Sequence, residues 1–332
     1  MALMAGFRYY RPTALDEAVG IAGKLASDSE EFNFCSGGTD LVPLLKNRLI
    51  APSSIISLTA IKELGGVALR NERTVSIGSQ TTLDELIGNN IVRKLLPSVS
   101  EAASLVATRQ IRNRATAGGN LLVNNRCIFF NQSETNRKAH GECFKSGGEA
   151  CHLIPNAVRG KAPLCRARFV SDLAPVLMLM DARLSVAGPS GYIHVPLAEF
   201  YIKDGIERNR LEKGEILTHV EVRVPRYERI AYEKLRIRNA IDFPSLGVAV
   251  SLSDVHGIWS MGVAVSGADT HPVLLNFSTN ESVGFDEMLL NACHEVTKAV
   301  TPLKQEFFPP SYKKKMIAVF INRCVKRLLE KQ

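Results

Sequence analysis

Four of the chain's seven cysteines, Cys127, Cys143, Cys151 and Cys165, fall in one stretch just downstream of the glycine-rich run Thr116-Ala-Gly-Gly-Asn-Leu121. Four thiolates are the usual complement of an iron–sulfur cluster or a structural zinc. Zinc sites usually carry closer Cys-x-x-Cys pairs than this chain offers. His140 and His152 lie in the same stretch and are alternative ligands. Cys35, Cys293 and Cys324 read as packing residues, the first beside a glycine loop and the others on apolar helix faces.

A second chemistry lies next to the first. Gly37-Gly38 and Gly118-Gly119 are adjacent pairs, and glycine lets backbone amides approach a pyrophosphate and form an anion-binding nest. Thr39 and Thr116 could add hydroxyl donors and Asn120 an amide. Taken singly, each pair is more readily a tight turn than a ligand site. Neither fits the GxGxxG or Walker pattern, so a Rossmann or P-loop architecture is disfavoured.

Elements must position these loops. Apolar spacing from Leu15 to Ala26 predicts a helix capped by Thr13, followed by a short strand at 32–34 that runs into the first glycine pair. Ile55, Ile56 and Leu58 predict a buried strand, and Val75 and Ile77 another. Thr82-Leu-Asp-Glu85 is a capping box, and a further helix is expected over 95–107. Residues 173–180 form a buried element. Hairpins are expected around Gly188–Gly191 and around Asp254–Gly257, with Val220, Val222 and Val224 alternating between them. Two amphipathic helices close the chain, over 289–300 and 312–329. The expected division is 1–58, 59–225 and 226–332.

The 332 residues are 45% hydrophobic and 22% charged, enough to bury real cores. The longest apolar run ends at Asp181 and is too short for a bilayer, and Met1 to Phe7 lacks the charged start and long apolar core of a signal peptide, so none is expected. A cytoplasmic protein without membrane partners is expected, in which clustered cysteines are ligands more often than disulfides. The net charge of +8 is scattered, Lys313-Lys314-Lys315 being the one contiguous run, and no nucleic-acid signature stands out.

Five motifs in order carry a resemblance over the whole chain: Ser36-Gly-Gly-Thr-Asp-Leu41, Gln110 through Leu121, Ser171-Asp-Leu-Ala-Pro175, Gly214-Glu-Ile-Leu217 and Tyr232-Glu-Lys-Leu235. The pattern resembles the flavin-binding subunits of molybdenum hydroxylases. The resemblance implies an α+β fold, with a two-part FAD-binding domain and a C-terminal antiparallel sheet plus helices. It implies FAD contacts at Phe34, Cys35, Ser36, Gly37, Gly38, Thr39, Asp40 and Leu41. Further contacts would come from Val106, Thr116, Gly118, Gly119, Asn120, Asp172, Leu217 and Lys234. A lysine that some members carry beyond the last motif falls near Ser245 here. No catalytic residue is expected on this chain.

The insert, about 123–168, resembles that of 4-hydroxybenzoyl-CoA reductase flavin subunits. This implies a 4Fe–4S cluster on Cys127, Cys143, Cys151 and Cys165, with a longer gap before Cys165 than that pattern has. It also implies partners: a large molybdenum-cofactor subunit, a small 2Fe–2S subunit and a ferredoxin donor, assembled as a dimer of heterotrimers. Electrons would pass from ferredoxin through this chain to molybdenum, where the phenolic hydroxyl is removed. The alternatives are a flavin subunit serving a purine- or heteroaromatic-oxidising hydroxylase, and a zinc-stapled binding protein. Arg126, Arg137, Lys138, Lys145, Arg159, Lys161, Arg166 and Arg168 face only Glu134, Glu142 and Glu149 in the insert. They could form a basic apron that steers an acidic ferredoxin, or simply solvate a long loop or face partner subunits.

Overall fold

A computed structural model describes residues 4–154, 165–226 and 229–330. The described residues build three sheets, each with helices packed against it. The first is parallel, with Ser54–Ser57 at its centre, flanked by Arg8–Tyr10 and Phe32–Cys35. Every residue of the central strand is buried, as expected for a parallel strand covered on both faces. Helix Leu15–Ser27 lays Leu15, Ala18, Ala22 and Leu25 on this sheet, with Asp16 and Glu17 in its first turn and Lys24 in its last, complementing its dipole. Its cap differs from expectation. The N-cap is Ala14, and the Thr13 N–H donates instead to the Glu17 carboxylate at 2.8 Å. The core beneath the sheet also takes in Ala187 and Ile216 from far along the chain.

The second sheet is antiparallel, in the order Val67–Asn71, Thr74–Gly78, Ile216–Arg223, Arg183–Gly188, Gly191–Pro196. Helix Leu83–Gly88 opens with the anticipated capping box of Thr82 and Glu85. The helix expected over 95–107 is two helices, Asn90–Leu95 and Pro97–Ser104, because Pro97 cannot continue the first and starts the second at its first position. Val106 therefore sits in a turn, followed by Ala107 at φ 43°.

The third sheet runs Val273–Ser278, Ile258–Ser266, Leu246–Val255, Arg229–Leu235, all antiparallel. Val248, Val250, Leu252, Met261, Val263 and Val265 alternate onto one face, against helices Phe285–Ala299 and Pro310–Leu329. Ala249, Ala264 and Tyr232 face the other way, joining the core of the second sheet with helix Leu173–Met178. Among the described residues, no helix is long and apolar enough to cross a membrane.

Candidate functional site

A cleft of about 1130 Å³ opens where the first and second sheets meet, at the large end for a small-molecule site. Phe34, Ser36, Gly37, Gly38, Thr39, Asp40 and Leu41 line it from one side. Val106, Thr116, Gly118, Gly119, Asn120, Asp172 and Leu217 line it from the other. The Cys35 side chain is not part of the lining: its Sγ turns to the Ser36 carbonyl, and burial pushes its thiol pKa up.

The two glycine pairs do different work. The Gly37, Gly38 and Thr39 N–H groups have no acceptor among the described residues, and Gly38 curls the chain at φ +73°. These are free donors around a concavity, the form an anion nest takes. A Cβ on Gly37 would run into the Arg114 carbonyl, so glycine there lets the two loops abut. The second pair was expected to be a matching nest and is not one. Gly118 and Gly119 lie in the short helix Ala117–Leu121, capped by Thr116. Their N–H groups are taken by the Ser79 carbonyl at 2.9 Å and the Thr116 Oγ1 at 3.1 Å. Gly118 serves close packing, since a Cβ would stand 2.8 Å from that of Ser79. Asn120 Oδ1 accepts from the Ser171 hydroxyl at 2.7 Å and the Leu173 N–H at 3.1 Å, which leaves its amide donors as its polar contribution to the cleft.

Asp172 lines the cleft from a nearly water-free setting. The Tyr232 hydroxyl donates to its Oδ1 at 2.8 Å and Lys234 Nζ to its Oδ2 at 3.0 Å. Burial raises the carboxyl and lowers the ammonium, and their mutual attraction opposes both shifts. Lys234 was expected to touch the cofactor. It does not line the cleft, and spends its donors on Asp172 and on the Leu105 carbonyl beside Val106, at 2.9 Å.

Lining residues not anticipated include Ser79 and Gln80, the segment 206–213, and Ile241–Phe243. The Gly214 motif ends one of them, but nothing in the local pattern separates Arg208 from its charged neighbours. Arg208 has no carboxylate or hydrogen-bond partner for its guanidinium among the described residues, and burial lowers its pKa.

The four cysteines of the insert come together from distant positions to line one small cavity with Phe129, Phe130, Phe144, Lys145 and His152. Ser133 caps the helix Glu134–His140, and Cys143 opens a single turn at Phe144–Ser146. Burial raises the thiol pKa of Cys127, and that of Cys165 to about 11. The cavity itself holds about 20 Å³, room for roughly one water. No three His, Cys, Asp or Glu groups among the described residues are gathered to hold a single metal ion. The donor set fits an iron–sulfur centre, and the volume requires the walls to part around it. Metal sites commonly form in this way, together with their ligand segment. His152 Nε2 is engaged with the Gly141 carbonyl at 2.8 Å, while His140 lies one shallow pocket away, not on the cavity.

The basic apron does not form as expected. Arg137 is buried, donating to the carbonyls of Arg48 and Gln132 at 2.9 Å. Arg168 is buried between the carbonyls of Pro244 and Gly267 and the Glu306 carboxylate. Lys145 points inward, and burial lowers its pKa to about 8. Arg126 stacks 4.6 Å from the Phe243 ring centroid, and Arg166 is largely covered. Lys138 is exposed, but pairs with Glu134 at 2.8 Å. Arg159 and Lys161 lie outside the described residues. Long cations here satisfy buried carbonyls, which the charge count could not reveal.

Residues 5–227 match the family described as the FAD-binding domain in molybdopterin dehydrogenase, and the chain belongs to that family. It is 31% identical over 247 residues to a carbon monoxide dehydrogenase medium chain of Hydrogenophaga pseudoflava, covering 74% of this chain and 68% of the relative. It is 27% identical to the Afipia carboxidovorans medium chain, covering 97% and 96%. An Escherichia coli O157:H7 xanthine dehydrogenase FAD-binding subunit is 26% identical, covering 73% and 66%. A solved carbon monoxide dehydrogenase from Hydrogenophaga pseudoflava superposes with a TM-score of 0.76 at 23% identity, covering 98% of both chains, which establishes the fold. FAD is thus the cofactor of an oxidoreductase subunit, and the reading as a zinc-stapled binding protein without redox function falls.

Proposed function

We propose that this chain is the electron-transfer subunit of a molybdenum-containing complex, carrying FAD in the cleft and a 4Fe–4S cluster on Cys127, Cys143, Cys151 and Cys165. The convergence of these four thiols on one cavity carries the reading. Cys165 is joined to the cleft wall: its carbonyl accepts from the Gly205 N–H at 2.9 Å, and the next residue, Ile206, lines the cleft. Cys127 follows Arg126, whose guanidinium lies over the cleft-lining Phe243.

FAD exchanges electrons singly or in pairs, so it can join one-electron carriers to two-electron chemistry. The residues here do the holding. Gly37, Gly38 and Thr39 offer their N–H groups to the pyrophosphate, Asn120 its amide, and Asp172, fixed by Tyr232 and Lys234, a carboxylate. The chain would divide at 1–58, 59–225 and 226–332 and work in the cytoplasm beside a large molybdenum subunit and a small 2Fe–2S subunit, as a dimer of heterotrimers.

The complex would be of the 4-hydroxybenzoyl-CoA reductase kind, fed by a ferredoxin, because the cysteine-bearing insert follows that pattern. The names of the relatives favour a second reading, a hydroxylase oxidising a small molecule or heteroaromatic, in which the same cluster is an extra relay. Anaerobic purification with the partner chains, quantifying iron, sulfide and FAD, tests the cofactors. Four irons and four sulfides per FAD are expected beyond those of the 2Fe–2S subunit, and zinc with no iron beyond that subunit's would refute the cluster. Reduction of 4-hydroxybenzoyl-CoA by the same preparation, against oxidation of purines or carbon monoxide, decides the substrate.

A further inference from the structure

The wall between the cysteine cavity and the cleft carries two inward-facing cations. Lys145 lines the cavity and donates to Asn124 Oδ1 at 2.7 Å, the Asn125 carbonyl at 3.0 Å and the Gly205 carbonyl at 2.6 Å. Three oxygen acceptors use all three protons of an ammonium, whereas a neutral amine would turn a lone pair toward one of them. Its Nζ also lies 5.1 Å from the Phe130 ring centroid. Arg208 lines the cleft three residues beyond Gly205. It has neither ion pair nor hydrogen bond for its side chain among the described residues, and its buried Nε has no acceptor.

Lys145 is hydrogen-bonded to the Gly205 carbonyl, and Arg208 follows three residues on along the same wall. Glu207, next to Arg208, is exposed and makes no ion pair with it, and Asp204 spends its carboxylate on the N–H groups of Cys165, Ile206 and Glu207. The stretch 155–164 contains no acidic residue. A buried charge without a partner is costly, and protein interiors rarely keep one unless something supplies the opposite charge. Here two cations without an ion pair among the described residues line the wall, Lys145 on the cavity and Arg208 on the cleft.

We infer that Lys145 and Arg208 are the counter-charges of the two redox groups, raising the reduction potential of a cluster on one side of the wall and of FAD on the other. The inference rests on the cluster reading for Lys145 and on FAD alone for Arg208. Each added electron adds negative charge near a fixed positive one, and net charge and nearby charge are among the protein's means of setting such potentials. Both residues act by position and touch no substrate.

The test is an anaerobic redox titration of the holo-complex, following the cluster by EPR and the flavin by absorbance. Wild type is compared with Lys145→Gln, Lys145→Arg, Arg208→Gln and Arg208→Lys. Lys145→Gln should weaken reduction of the iron–sulfur centre at least tenfold, about 59 mV for one electron, and Arg208→Gln that of the flavin tenfold, about 30 mV for two. The charge-keeping variants should stay within twofold of wild type. Unmoved potentials in both Gln variants, with full cofactor content, overturn the inference. If a Gln variant loses its cofactor, retention and a wild-type potential in the matching Arg or Lys variant support it. Loss in that variant too overturns it, since shape rather than charge is then what matters. Wild type with FAD but with no iron beyond that of the 2Fe–2S subunit overturns the cluster reading and the Lys145 half, and the flavin titration still decides Arg208.

Discussion

The FAD cleft and the cysteine cavity share a wall but are built on opposite plans. The cleft is preformed: it is wide, its glycine loop abuts a second loop, and free N–H donors already face the space. The cavity is collapsed: its thiols are drawn together by loops and single helical turns, with room for roughly one water. Glycines and packed backbone fix the first before any ligand arrives. The second depends on what binds to it. The first site is framed by sheet and helix ends, and the second by loops and single turns whose folding is coupled to what binds there.

Removing one thiol should break the contrast most visibly. Cys143→Ser should remove the four irons beyond those of the 2Fe–2S subunit while FAD content stays at the wild-type level, measured on one anaerobic preparation. Simultaneous loss of FAD would mean that the two sites fold as a unit. On the cleft side, Gly37→Ala should yield apo-protein, with about 1–3 kcal/mol lost from overpacking against Arg114. Gly118→Val should do the same against Ser79. Gly119→Ala should be mild, because its Cβ would meet only the Thr116 hydroxyl, at 3.1 Å. Flavin absorbance and thermal melts of the set give the ranking.

Lys234→Met tests the buried pair without touching the lining of the cleft. It strands the Asp172 carboxylate, at a cost of about 3–5 kcal/mol, and adding Asp172→Asn should recover much of the lost melting temperature. Recovery would be missing if Lys234 acted mainly through the Leu105 carbonyl. The smallest effect belongs to Lys138→Gln on the insert surface. It should change stability by less than about 0.5 kcal/mol and ferredoxin reduction less than twofold across a salt series. A steep salt-dependent loss would restore Lys138 as part of a docking face.

Much of this was legible in the residues. Alternating Val248, Val250 and Leu252 announced their strand, Thr82 and Glu85 their cap, and the motif order announced the cleft. What stayed hidden was of two kinds. Some residues act through partners remote in sequence, as Lys234 does through Asp172 and Arg208 through a wall shared with Lys145. Others carry a familiar type in an unfamiliar use. Gly118-Gly119 looks like a nest until its N–H groups are traced to Ser79 and Thr116. Arg137, Lys145 and Arg168 look like surface charge until their carbonyl acceptors are found. Pro97 was readable as a helix start and should have divided the predicted 95–107 helix.

The core of the first sheet, closed by Ala187 and Ile216, has a consequence for how the protein is made. When residue 58 has left the ribosome, the three strands of that sheet exist, but four residues of its core, Ile61, Leu64, Ala187 and Ile216, do not. About 160 residues must still be translated before Ile216 emerges, roughly 8–30 s at ordinary elongation rates. The insert itself lengthens that wait. Throughout it the nascent chain shows an unfinished apolar face, and the flavin has one wall of its site without the other. Cofactor loading is therefore a late event in biosynthesis, and a chaperone's opportunity lies before it.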